Sequence, residues 1–131
     1  MASSVFTKIV NGQLESYKLL EEKEYLSFLD ISPLTLGHTL VIPKKQVDYI
    51  FDLNNDEYLN LWKFTRKVSI ILKQAISCDR IGISVIGFEV PHVHIHLIPI
   101  NSINDMNFNN TRIQLSHQDF IDISNKIKSF I

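Results

Sequence analysis

The sequence predicts an α+β domain: an antiparallel sheet of about five strands, one long helix packed on it and a C-terminal helix. Three observations predict this class. Short segments in which apolar and polar side chains alternate recur between turn signals, the pattern of half-buried strands. Short polar connections between neighbouring segments suggest antiparallel hairpins. One long stretch beginning at Asn54 carries apolar residues every three or four positions, the pattern of an amphipathic helix.

Taken in order, Val5 to Val10 is long enough for a helical turn, stopped by the Asn11-Gly12 turn signal. Ser16 to Glu21 and Tyr25 to Ile31 read as two strands around the charged Glu22-Lys23-Glu24. Ser32-Pro33 breaks the pattern, and Gly37 precedes a third, β-branched strand from His38 to Pro43. Val47 to Phe51 fits neither period. Asn54 can cap the long helix, with Glu57 completing a capping box. Tyr58, Leu61, Trp62, Thr65, Val68, Leu72 and Ile76 form its apolar stripe, with Tyr58 and Trp62 read as core. The opposite face, with Asn60, Lys63, Arg66, Lys67, Lys73 and Gln74, is solvated. Arg80 to Ile86 is a fourth strand that turns at Gly87-Phe88-Glu89 into its antiparallel neighbour, Val90 to Pro99. Asn101 to Thr111 is polar and asparagine-rich and reads as an excursion over the surface. Ser116 and Asp119 can cap a final helix with a stripe of Phe120, Ile123, Ile127 and Phe130 or Ile131. No repeat, low-complexity tract or linker interrupts the chain, so residues 1–131 are expected to form a single domain.

Composition narrows the function classes. At 45% hydrophobic and 21% charged residues, the chain is ordinary globular protein. A net charge of −1 provides no bulk field for nucleic acid or an anionic membrane, so neither partner is expected. The one cysteine, Cys78, excludes an internal disulfide and a cysteine-cluster zinc site. No leader-like apolar run occurs near the start, and no stretch approaches the ~18 apolar residues of a membrane span. A cytoplasmic protein is the expectation.

Three of the five histidines fall in the stretch His92-Val93-His94-Ile95-His96. Two-residue spacing on a strand puts the three rings on one face and Val93, Ile95 and Leu97 on the other. Neighbouring rings, roughly 6.5–7 Å apart, could share a zinc ion; the outer pair, roughly 13 Å apart, could not. A zinc site would use two of them and recruit His38, Glu89 or His117. Nucleophilic catalysis uses all three: a neutral imidazole attacks phosphorus while its other nitrogen is held by an acceptor. Partly protonated neighbours would then stabilise charge on the phosphoryl oxygens.

The stretch His92-Val93-His94-Ile95-His96-Leu97-Ile98 resembles the signature of the histidine triad (HIT) family, in which three histidines alternate with hydrophobic residues. A second block is similar to the family's N-terminal half: Phe28-Leu29-Asp30-Ile31-Ser32-Pro33, then Gly37-His38-Thr39-Leu40-Val41-Ile42-Pro43-Lys44-Lys45. With a weaker match at Phe6-Thr7-Lys8-Ile9-Val10, the resemblance covers about residues 5–100 and leaves 101–131 as a C-terminal extension. It implies a nucleotide hydrolase or transferase that acts at the α-phosphate through a covalent nucleotidyl-histidine. His94 would be the nucleophile, His92 would orient it, His96 would hold a phosphate oxygen, and His38 would support the cluster. Phe6, Ile9, Phe28 and Ile31 would surround a purine base, and Asp30 would accept from the ribose hydroxyls. The resemblance implies a homodimer and no cofactor for the chemistry. The expected substrate is a nucleoside phosphoramidate or related nucleotide conjugate. The alternatives are a dinucleoside polyphosphate hydrolase and, in another class, a nucleotide-binding adaptor without turnover.

The chain departs from the family pattern in two places. Ser4 and Thr7 stand where some members carry a Cys-x-x-Cys zinc pair, so no structural metal is expected. The segment before the triad, Ile83-Ser84-Val85-Ile86-Gly87-Phe88-Glu89, is more apolar than the family's usual phosphate-contacting loop. Glu89 falls near the leaving group, where a carboxylate would repel phosphate or donate a proton to a departing amine.

Overall fold

The computed structural model describes residues 2–131. At its centre is a five-stranded sheet in the order β1-β2-β3-β5-β4, with every neighbouring pair antiparallel. The strands are β1 (Lys18–Glu21), β2 (Tyr25–Leu29), β3 (Thr39–Pro43), β4 (Arg80–Ser84) and β5 (Ile95–Ile100). Helix α1 (Val5–Val10) precedes the sheet, α2 (Asn55–Ala75) connects β3 to β4, and α3 (His117–Lys128) follows β5. This is the α+β class that the sequence predicts.

Side-chain alternation divides the interior between the two faces of the sheet. Leu29, Val41, Ile95 and Leu97 pack with Leu61, Phe64, Val68 and Leu72 of α2 and with Phe120 and Ile127 of α3. The residues between them on β2 and β3, namely Leu26, Phe28, Leu40 and Ile42, pack against Phe6 and Ile9 of α1. His96 pairs with Leu40 across the β3–β5 ladder and so shares the α1 face. The long helix backs the sheet, leaving the histidines on the opposite side.

Helix α2 starts where the capping box places it. Asn54 Oδ1 accepts the Glu57 N–H at 2.8 Å, and the Glu57 carboxylate accepts the Asn54 N–H at 3.1 Å. Leu61, Thr65, Val68 and Leu72 are buried, whereas Tyr58 and Trp62 are half-buried. Gly37 turns the chain into β3 with φ +89°, and a Cβ there would lie 2.9 Å from Ile76 Cγ1. Both the turn and the close approach require glycine.

Several elements are shorter than periodicity suggests. β1 begins at Lys18, β2 ends at Leu29 and β4 ends at Ser84. Beyond β2, Asp30 turns the chain by accepting the Ser32 N–H on its own carboxylate at 2.8 Å. The histidine strand begins at Ile95, not Val90. Upstream of it the His92 N–H bonds to the Val90 carbonyl at 2.8 Å, a local bend that takes the backbone out of the ladder. Val47 to Phe51 resolves into a bend at Asp48 and Tyr49 that leads into a 3-10 turn at Ile50–Asp52. Helix α3 ends at Lys128, which leaves Phe130 and Ile131 exposed rather than in its stripe. Asn101 to Thr111 contains a 3-10 turn at Ile103–Met106, and from it Phe108 reaches back to the histidines.

Candidate active site

Each histidine ring is held by a partner that dictates where its proton sits. His92 Nε2 lies 2.7 Å from the Pro43 carbonyl oxygen. A carbonyl only accepts, so Nε2 carries the proton and Nδ1 keeps its lone pair. That lone pair accepts the Ser4 hydroxyl at 2.8 Å. Ser4 Oγ in turn accepts the Thr7 N–H, and Gln46 Oε1 accepts both the Ser4 N–H and the Thr7 hydroxyl. The two positions without cysteine thus fasten His92 through hydrogen bonds.

His94 Nδ1 lies 2.7 Å from the backbone oxygen of His92. By the same argument Nδ1 is protonated, and Nε2 presents a lone pair. His92 therefore orients His94 through its main chain rather than its ring. Phe6 meets both rings edge-on, with centroids 5.9 Å from His92 and 5.0 Å from His94.

The opposite polarity reaches His96. The Leu34 N–H donates to His38 Nδ1 at 3.0 Å, so the proton of His38 is on Nε2. His38 Nε2 donates to His96 Nδ1 at 2.9 Å, which leaves the His96 proton on Nε2. One histidine thus offers a lone pair and its neighbour an N–H, with ring centroids 5.0 Å apart. A nucleophile beside a hydrogen-bond donor suits attack on an electrophile that carries an anionic oxygen.

Burial sets the charge of these rings. It pushes His96 down to about 4 and His38 down to about 3, and it also lowers His92. The expected partly protonated neighbours are therefore neutral near pH 7, because charging a ring in this interior costs more than its partners return. Asp30 Oδ2 lies 3.5 Å from His38 Nε2, but with His38 neutral the pair is not an ion pair. Burial raises the pKa of Asp30, with the Ser32 N–H opposing it.

His94, His96, Asp30 and Glu89 line one cavity of about 450 Å³, together with Ser32, Gly87, Phe88, Phe108 and Arg112. His92 and His38 are fully buried behind it. Phe6, Ile9 and Phe28 lie in the core cluster under α1, and none of them lines this cavity. Ile31 is 73% exposed and, with Ile9, borders a neighbouring groove between β1 and α3. Sequence reasoning missed Gln46, Phe108 and Arg112. Phe108 and Arg112 have one signal, isolation: Phe108 is the sole aromatic, and Arg112 the sole basic residue, between Asn101 and Ser116.

Asp30, His38 and His96 are also close enough to surround a cation. Their bonding argues against that use. His38 Nδ1 is taken by a backbone N–H, so freeing Nε2 for a metal would require an imidazolate or loss of the Leu34 bond. His117, another of the candidate ligands, instead bonds Tyr17 OH at 2.6 Å on the protein's exposed surface.

Comparison with known proteins gives a consistent picture. A family model, HIT domain, matches residues 11–103. An uncharacterized HIT-like protein of Borreliella burgdorferi is 40% identical over 106 residues, covering 76% of each chain. The adenosine 5'-monophosphoramidase of Schizosaccharomyces pombe is 33% identical over 102 residues, covering 74% of each chain. The crystal structure of a Hit-like protein from Bartonella henselae superposes with a TM-score of 0.85 at 25% identity, covering 98% of this chain and 97% of that one.

Proposed function

The chain belongs to the HIT domain family, and from that premise we propose that it is a nucleotide hydrolase or transferase acting at the α-phosphate of nucleoside phosphoramidates. The observation that carries this reading is the pairing of a His94 Nε2 lone pair with a His96 Nε2–H in one cavity. His94 Nε2 attacks the α-phosphorus, and the bond from phosphorus to the leaving amine breaks. The amine departs with a proton that the exposed Glu89, lining the cavity, relays from solvent. His96 donates to a phosphoryl oxygen as charge builds on it. Water then cleaves the phosphorus–His94 bond and releases the nucleoside monophosphate. Asp30 would accept from the ribose hydroxyls, and the purine would lie against Ile9 and Ile31 in the adjoining groove. The monophosphoramidase named in fission yeast supports this choice of substrate.

The test is AMP release from adenosine phosphoramidate and from a diadenosine polyphosphate, by wild type and by His94→Ala. Wild type should release AMP from the phosphoramidate, and the variant should be slower by at least ~10³-fold. Faster cleavage of the polyphosphate would make that the substrate class. AMP binding with no turnover of either would leave a nucleotide-binding protein. Equal slow release by wild type and variant would overturn the catalytic reading.

We further propose a homodimer built on the free edge of β4 and the adjacent side of α2. β4 is a terminal strand of the sheet. Ile83 and the following Val85 and Ile86 are exposed there, as are Leu59 and Ile70 on α2. An uncovered apolar edge of this kind favours pairing with a second chain.

A further inference from the structure

A phosphate bound between His94 and His96 brings negative charge into a cavity that already holds two carboxylates, Asp30 and Glu89. Burial keeps His96 and His38 neutral, so neither supplies a balancing charge. Among the described residues, one Lys or Arg lines this cavity, and it is Arg112. The residue is half-buried, and it forms no ion pair within 4.0 Å among the described residues. Nη1 donates to the Ser32 carbonyl at 2.8 Å, and the head group sits 5.6 Å from the Phe108 ring centroid. Phe108 packs edge-on to His96 at 4.9 Å, forming a short bridge from the cation to the triad. The guanidinium is thus held in place by its carbonyl and its ring, with N–H donors left over. A planar cation held this way suits an anionic oxygen better than a mobile ammonium does.

Resting on the nucleotide reading above, we propose that Arg112 is the phosphate-binding cation of the triad cavity, supplied by the segment after β5 rather than by the stretch that carries the triad. The cavity therefore selects for anionic nucleotides over free nucleosides. Both Phe108 and Arg112 lie beyond residue 103, where the family match ends.

The experiment measures AMP and adenosine binding by calorimetry for wild type, Arg112→Gln and Arg112→Lys, with thermal melting of each as a folding control. Wild type should bind AMP more tightly than adenosine. Arg112→Gln should lose roughly 10- to 100-fold in AMP affinity, as expected for a hydrogen bond to a charged group, with adenosine binding unchanged. Arg112→Lys should recover part of that loss, because it restores charge without the fork. Raising the salt concentration should narrow the gap between wild type and Arg112→Gln. If Arg112→Gln binds AMP as wild type does, or loses AMP and adenosine equally, Arg112 is not the phosphate cation, although the nucleotide reading stands. If wild type binds neither ligand, both proposals fall.

Discussion

His38 cannot take a second proton without losing a bond to the main chain, because its Nδ1 accepts the Leu34 N–H and its Nε2 already carries hydrogen. His96 is in the same position one step along, its Nδ1 occupied by His38. Their pKa values, about 3 and about 4, lie below the 6.5 of an exposed imidazole. The unfolded chain therefore binds more protons than the folded one between those values and pH 6.5. Stability is fully present above about pH 6.5 and declines as pH falls towards 4 and then 3. Urea unfolding at pH 7 and pH 5 should differ by about 1–2 kcal/mol for each of the two rings. Variants His38→Asn and His96→Asn should each flatten that dependence. A wild-type midpoint that does not change over this range would show that the rings are not held neutral. At this scale, spacing identifies the residues but not which nitrogen of each carries the proton.

Helix α1 illustrates what happens at the scale of an element. Its six residues are too few for intrinsic helix stability, so its place depends on its cap and on Phe6 and Ile9 beneath it. Ser4 serves twice: its hydroxyl oxygen caps α1 through the Thr7 N–H, and its proton holds His92 Nδ1. Ser4→Ala should lower stability by about 2–4 kcal/mol, the sum of a lost cap and a buried nitrogen deprived of its nearest donor, measured by urea unfolding. A change under about 0.5 kcal/mol would mean that neither bond matters. The helix and its Asn11-Gly12 stop are legible in the sequence, as is the capping box of α2. The early bend before β5 is not, because two-residue alternation of side chains persists through it while the ladder does not.

At the scale of the molecule, the sheet order leaves β4 with an unpaired edge, and exposed Ile83 lies on it. Ile83→Lys places a charge on that edge and should shift the protein from dimer to monomer in sedimentation velocity. A monomeric wild type would remove the proposed interface. The excursion after β5 runs over the surface as expected, and Phe108 within it and Arg112 just after it line the cavity formed by the histidines. Polar composition alone reads as solvent-facing, and nothing in its periodicity signals that one arginine and one phenylalanine fold inward.

By itself, the sequence determined the strands, the capped helices and the set of histidines that share a face. Those features follow from spacing along the chain, which reflects the repeat of the local backbone. Only the tertiary structure decided that Phe6 and Phe28 are core, that Arg112 is in the site, and that His94 offers a lone pair where His96 offers a proton. These outcomes depend on partners far apart in the chain, such as His38 with His96, separated by 58 residues, and Ser4 with His92, separated by 88. A ring's tautomer is set by what its other nitrogen touches, and folding supplies that contact.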